Sequence, residues 1–180
     1  MTVSLTGFMG CGKSSVGKVL SQLTGCPIID TDSWIEQHEG RSIKEIFTEG
    51  GEPEFRKMEV NALKTLLPDS TGSSRGNIDL ILSLGGGTVT TPEAAAYVRE
   101  RTFCVYLRAG IDTLVENLSM YPGDRPMLGH PDGKDALRHR IEELISRRSR
   151  IYEKTASIIF DIDGMDCRQA AERLLGLIVR

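Results

Sequence analysis

Gly7-Phe8-Met9-Gly10-Cys11-Gly12-Lys13-Ser14 fits the spacing G-x-x-x-x-G-K-[ST] of a phosphate-cradling loop. Thr2-Val3-Ser4-Leu5-Thr6 before it reads as a short β-strand. After it, Val16, Val19 and Leu20 share one face of a helix. Strand, glycine loop and helix together are the context the motif requires. Gly7, Gly10 and Gly12 allow backbone paths and close approach that a Cβ would obstruct. Successive N–H groups and the positive end of the helix then face an anion. Lys13 can carry its ammonium to the β- and γ-phosphates, and the Ser14 hydroxyl can ligate Mg²⁺. The sequence therefore points to a nucleotide site built on Gly10, Cys11, Gly12, Lys13, Ser14 and Ser15.

The second apolar run, Cys26-Pro27-Ile28-Ile29-Asp30, ends in a carboxylate, with Asp32 two residues on and a helix expected from about Ser33. Asp30 and Asp32 thus fall at the carboxyl edge of a parallel sheet, where ligands of open α/β folds bind. They can serve a hydrated Mg²⁺ and a substrate hydroxyl; alternatively, Asp32 is the cap of that helix. Ser42-Ile43-Lys44-Glu45 has capping-box spacing. Gly50-Gly51 ends the helix it opens, and Pro53 suits the first turn of the next, which runs to about Leu67. Phe55, Glu59, Ala62, Leu63 and Leu66 recur there at helical spacing, while Arg56 by spacing alone reads as a solvated surface group. Ile78–Leu84 is the clearest strand, and it runs into Gly85-Gly86-Gly87, whose bare backbone leaves N–H groups open to a ligand.

Thr91-Pro92-Glu93 marks a further helix start, Thr102–Leu107 a fourth strand, and Ser157–Ile162 a fifth. Between them the run YPGDRPMLGHPDGK (121–134) has little periodicity and reads as a mobile flap, with Arg125 placed to reach transferring phosphates. In the arginine-rich helix from about Asp135 to Tyr152, Ile141, Leu144 and Ile145 define the buried stripe. Arg148 continues that stripe, so its guanidinium points inward and calls for an anion, preferably a carboxylate.

A chain of 180 residues with 39% hydrophobic and 26% charged residues suits one soluble domain with a full core. A net charge of −3 gives no reason to expect nucleic acid or an anionic membrane as partner. The apolar runs fall far short of the ~20 residues of a membrane span. Met1 leads straight into the first strand, so the cytoplasm is the expected location. Cys11, Cys26, Cys104 and Cys167 form no C-x-x-C pair and read as ordinary residues, mostly buried. No N-K-x-D segment reads guanine, and the chain is too small for a motor ATPase. A three-layer α/β P-loop fold follows, with a central five-stranded parallel sheet flanked by helices. A small kinase acting on a small molecule is the reading that remains.

Taken together, GFMGCGKS (7–14), IIDTD (28–32), IFTEGGEPEFRKME (46–59), LSLGGG (82–87), RPML (125–128) and RRSRIYE (147–153) resemble the shikimate kinase family in order and spacing, nearly end to end. The resemblance implies transfer of the ATP γ-phosphate to the 3-hydroxyl of shikimate, with Mg²⁺ as cofactor. It implies that Arg56 and Arg148 clamp the shikimate carboxylate and that Asp32 holds its hydroxyls as the candidate base. Gly85, Gly86 and Gly87 then contact the acceptor through backbone, and Phe47 and Phe55 wall its pocket. Ser14 ligates Mg²⁺ directly, Asp30 does so through water, and Arg125 is the lid arginine on the phosphates. The expected organisation is a single kinase domain over 1–180. An acceptor-binding helical region lies at about 31–62 and a lid at about 119–134. The protein is expected to be a monomer whose partners are ATP and shikimate. Two departures touch the adenine contacts: Leu118 stands where many relatives have a stacking arginine, and Asp163-Gly164-Met165-Asp166 replaces a proline-containing loop. The rival readings are a kinase for another polyol acid such as gluconate and a non-catalytic nucleotide-binding regulator.

Overall fold

The computed structural model describes residues 1–67, 77–121, 126–129 and 131–179. Five strands, β1 (Thr2–Thr6), β2 (Ile28–Asp30), β3 (Leu80–Ser83), β4 (Phe103–Arg108) and β5 (Ile158–Asp161), form one sheet in the order β2-β3-β1-β4-β5. Every pairing is parallel. Parallel strands need crossovers, and the helices that supply them cover both faces. Accordingly every residue of β1 is buried, with no inside-outside alternation.

Among the described residues there are seven α-helices: α1 (Lys13–Thr24), α2 (Thr31–Glu39), α3 (Ile43–Leu66), α4 (Pro92–Arg101), α5 (Ile111–Met120), α6 (Gly133–Thr155) and α7 (Cys167–Ile178). One core cluster joins α1, α5, α6 and α7 to the sheet through Leu5, Leu20, Leu107, Leu114, Ile141 and Leu174. A second, around Leu63, Leu82, Val98, Cys104 and Tyr152, fills the opposite face. A third and smaller one, Ile35, Ile46, Phe55 and Ala62, holds α2 against α3.

The helix pair expected around Gly50-Gly51 is present as a break within α3: Gly51 adopts φ 70°, ψ −177°, and Pro53 opens the second arm. Ser42 closes its capping box, accepting from Glu45 N while the Glu45 carboxylate accepts from Ser42 N at 2.7 Å. One boundary that bears on the site differs from expectation. The second helix starts at Thr31, and its cap is Asp30, whose side chain accepts from Ser33 N at 3.2 Å. Asp32 therefore lies inside the first turn and is not the cap.

After β1 the chain goes out to β2, returns through β3, and crosses β1 to β4 on the other flank. The direction of winding reverses at the carboxyl ends of β1 and β3. In doubly wound sheets that reversal opens a crevice for ligands. The phosphate loop follows β1 there, and the triple glycine follows β3.

Candidate active site

The loop between β1 and α1 takes left-handed backbone at Gly10 (φ 80°) and Gly12 (φ 89°), which lets α1 begin directly at Lys13. The Lys13 ammonium is buried and folds back over its own loop, donating to the Gly7 and Phe8 carbonyls at 2.9 Å each. Ser14 Oγ donates to Asp30 Oδ2 at 2.8 Å and meets Ser83 Oγ at 3.2 Å. Asp30 thus cements β2, α1 and α2 together at the sheet edge. A hydroxyl and a carboxylate so placed fit a magnesium ion that takes most of its oxygens from water and phosphate. No group of three or more His, Cys, Asp and Glu among the described residues forms a metal cage of its own.

A cavity of about 410 Å³ opens beside the loop, lined by Gly10, Gly12, Lys13, Ser14, Ser15, Asn117, Tyr121 and Cys167. Cys11 contributes no side chain to it: its thiol is buried in the core, and its N–H closes a turn onto Phe8 O at 3.2 Å. Leu118, at the position of the missing arginine, is buried behind the loop against Gly10. Its neighbour Asn117 donates from Nδ2 to the Gly10 carbonyl at 2.9 Å, a tie that sequence reading did not find. The 163–166 loop is held by Asp163, which accepts from Gly110 N and from Thr113 Oγ1 at 2.7 Å.

A second cavity, about 270 Å³, lies under α2 and α3 and is bounded by Asp32, Phe47, Phe55, Arg56, Glu59 and Gly85–Gly87, with Met9 of the phosphate loop on its rim. The Phe47 and Phe55 rings meet at 5.1 Å and form one wall. Asp32 is half-buried, and its Oδ1, shut off from solvent, has no hydrogen-bond partner. Burial, then the charges of Glu59 and Asp30, push its carboxyl up to about 7, against the opposing pull of Lys13 and Arg56. A carboxyl so poised can accept a proton from a bound hydroxyl near neutral pH.

Arg56 is not a solvated group. Only 9% exposed, it donates from Nη1 to Glu59 at 2.5 Å and from Nη2 and Nε to Glu52 at 2.8 and 3.2 Å. Glu59 is 1% exposed and also accepts from Thr88 Oγ1 at 2.6 Å. Burial raises its pKa, and the Arg56 charge opposes that rise. Sequence reading placed Glu59 on the apolar stripe without a role; a carboxylate on that stripe, one turn from an arginine, was the available signal.

Arg148 is 6% exposed, as its place in the buried stripe of α6 requires. It does not line the acceptor-side cavity directly. Its Nη1 stands 3.5 Å from the Gly86 carbonyl, which Tyr152 Oη holds at 2.5 Å. Gly86 also packs against the phosphate loop: a Cβ there would lie 3.1 Å from Met9 N. This glycine thus stands where the acceptor-side cavity abuts the phosphate loop. Arg125 lies outside the described residues. Beside it, Pro126 and Met127 reach the rim of the second cavity, and Arg140 secures the Met127 carbonyl from Nη2 at 3.1 Å.

A family profile described as shikimate kinase matches residues 9–178. The chain belongs to the shikimate kinase family. It is 36% identical to a shikimate kinase of Chlorobium chlorochromatii over 99% of this chain and 90% of that one. It is 37% identical to one of Thermus thermophilus, over 96% of this chain and 87% of the relative. The structure of a shikimate kinase from Acinetobacter baumannii in complex with shikimate superimposes with a TM-score of 0.86 at 27% identity, covering 99% of this chain and 92% of that one. The family membership expected from the motifs, and the P-loop kinase fold with its five parallel strands, are both found. None of the described helices is long and apolar enough to cross a membrane.

Proposed function

We propose that the protein transfers the γ-phosphoryl group of ATP to the 3-hydroxyl of shikimate, giving shikimate 3-phosphate and ADP. The observation that carries the reading is a pair of cavities that both border the phosphate loop, the second with Met9 of that loop on its rim. One has the phosphate loop and Lys13, the other Asp32 and Arg56. A small acid in the second cavity presents its hydroxyls to Asp32 and its carboxylate to Arg56 and to Arg148, which turns from the Gly86 carbonyl to reach it. Backbone groups of Gly85, Gly86 and Gly87 border the ring, and Phe47 and Phe55 pack against its apolar face. The acceptor region is the helical segment at about 31–62, which has its own small core.

On the nucleotide side, backbone N–H groups of the loop from Gly10 to Ser15, Cys11 and Gly12 among them, cradle the phosphates. Lys13 leaves the Gly7 and Phe8 carbonyls to reach the phosphate oxygens. Ser14 would hold magnesium, with Asp30 supporting it through water, and the ion would supply neutralisation of phosphate charge and orientation of the transferring group. Arg125, carried on a lid at about 119–134, adds positive charge as that group moves. Asp32 orients the acceptor hydroxyl and takes its proton. Positioning and charge neutralisation supply most of the acceleration, as phosphoryl transfer demands. The working form is a cytoplasmic monomer with no nucleic-acid or membrane partner.

A coupled ADP-release assay with Mg-ATP tests this, with shikimate, gluconate and no acceptor run in parallel. Turnover dependent on shikimate is expected. Turnover without it, or a preference for gluconate, overturns the acceptor assignment.

A further inference from the structure

Arg56 has two carboxylate partners of very different character. Glu59 is 1% exposed and pinned by Thr88, whereas the Glu52 side chain is 44% exposed. Glu52 also sits between Gly51, where α3 breaks with φ 70°, and Pro53, which has no backbone N–H to give. The half-exposed Glu52 side chain has solvent to turn into, while Glu59 is committed to the core.

The guanidinium itself shows what the two partners leave available. Nη1 is taken by Glu59. Nη1 and Nη2 both lie against Gly87, where any side chain would collide with them. The edge suited to a two-pronged bond with a carboxylate is therefore Nε–Nη2. Glu52 covers that edge with a single oxygen, Oε1.

We propose that Glu52 is a displaceable stand-in for the acceptor's carboxylate, holding the Nε–Nη2 edge of Arg56 in the free protein and yielding it when the acceptor binds. This rests on the reading above, in which Arg56 receives that carboxylate. The exchange keeps a buried cation paired at every stage, which avoids leaving an uncompensated charge in a dry site. It also makes each acceptor compete with an internal anion, so Glu52 sets affinity for the acceptor without touching the phosphates.

Partly exposed ion pairs are weak, so the competition amounts to a small factor. Glu52→Gln is expected to lower the shikimate KM about two- to five-fold, with the ATP KM at its parent value. Calorimetric binding of shikimate to the nucleotide-free protein should tighten by the same factor. Glu52→Asp keeps the charge but retracts it by one methylene, and should show the same gain. A Glu52→Gln protein with unchanged or higher KM overturns the proposal, because Glu52 would then be idle or would organise Arg56 for binding. A Glu52→Asp protein indistinguishable from the parent also overturns it, since only the general field of the charge would matter. Arg56→Lys, run alongside, separates the two levels. If its shikimate KM stays at the parent value, the acceptor reading itself fails. If it rises while Glu52→Gln brings no gain, only the displacement fails.

Discussion

Asp32 and Glu59 converge on the α-carbon of Gly85. A Cβ placed there would collide with Asp32 Oδ1 and lie 3.1 Å from Glu59 Oε1. Two acids in one dry corner cannot both ionise freely, and the environment separates them. Glu59 has Arg56 and Thr88 to hold its charge, and Asp32 Oδ1 has no hydrogen-bond partner. Of the two, Asp32 is the acid that no cation or hydroxyl of the protein holds, and it lines the cavity where a ligand hydroxyl can meet it.

Asp32 should titrate near 7 in the ligand-free protein, followed by the carboxyl ¹³C signals in NMR. The sign for stability follows from its raised folded-state pKa. Between about 3.8 and about 7 the native carboxyl keeps a proton that the unfolded chain has lost, so stability declines as pH rises through that window. Asp32→Asn removes this slope. It should match the parent most closely in acid and exceed it at pH 8 by on the order of a few kcal/mol in urea unfolding. Its kcat should drop by roughly 10²-fold or more; near-parental turnover would exclude Asp32 as the base.

Glu59→Gln keeps the shape and removes the buried charge. Two effects are expected together: a shikimate KM about tenfold higher, from loss of a charge-assisted bond to Arg56, and an Asp32 titration moved toward acid, because the Glu59 charge no longer opposes its ionisation. Kinetics and the same NMR titration check the pair.

Gly87→Ala drives a methyl into the Arg56 guanidinium. Displacing that group should raise the shikimate KM at least about tenfold, with ATP affinity retained. The backbone at Gly87 (φ −116°) tolerates alanine, so the fold should survive, as a thermal melt would show.

Arg148→Ala should raise the shikimate KM sharply and leave the ATP KM nearly unchanged. It should also loosen Gly86, whose carbonyl would then rest on Tyr152 alone. Equal kinetic constants in variant and parent would remove Arg148 from the acceptor site.

The sheet and the phosphate loop were legible because they depend on local pattern: apolar runs ending in glycine or carboxylate, and one motif between a strand and a helix. Arg148 was legible for the same reason, since a stripe of period 3.6 predicts its direction. Other features depend on contacts distant in sequence. Arg56 looked solvated until the break at Gly51 and the turn at Thr88–Thr90 brought Glu52, Glu59 and Gly87 around it. The boundary at α2 was misjudged because Asp30 and Asp32 are equally good caps in isolation. Ser14 decides between them by binding Asp30 from across the loop.

Lys13 ends on two carbonyls of its own loop, and this shapes how a nucleotide arrives. The two carbonyl dipoles solvate the ammonium in place of water while leaving its positive charge intact. On the function proposed above, arrival of a triphosphate would exchange those carbonyls for phosphate oxygens around a single nitrogen. Such an exchange would ask the lysine for side-chain rotation alone, and departure of ADP would let it settle back onto the rim it came from.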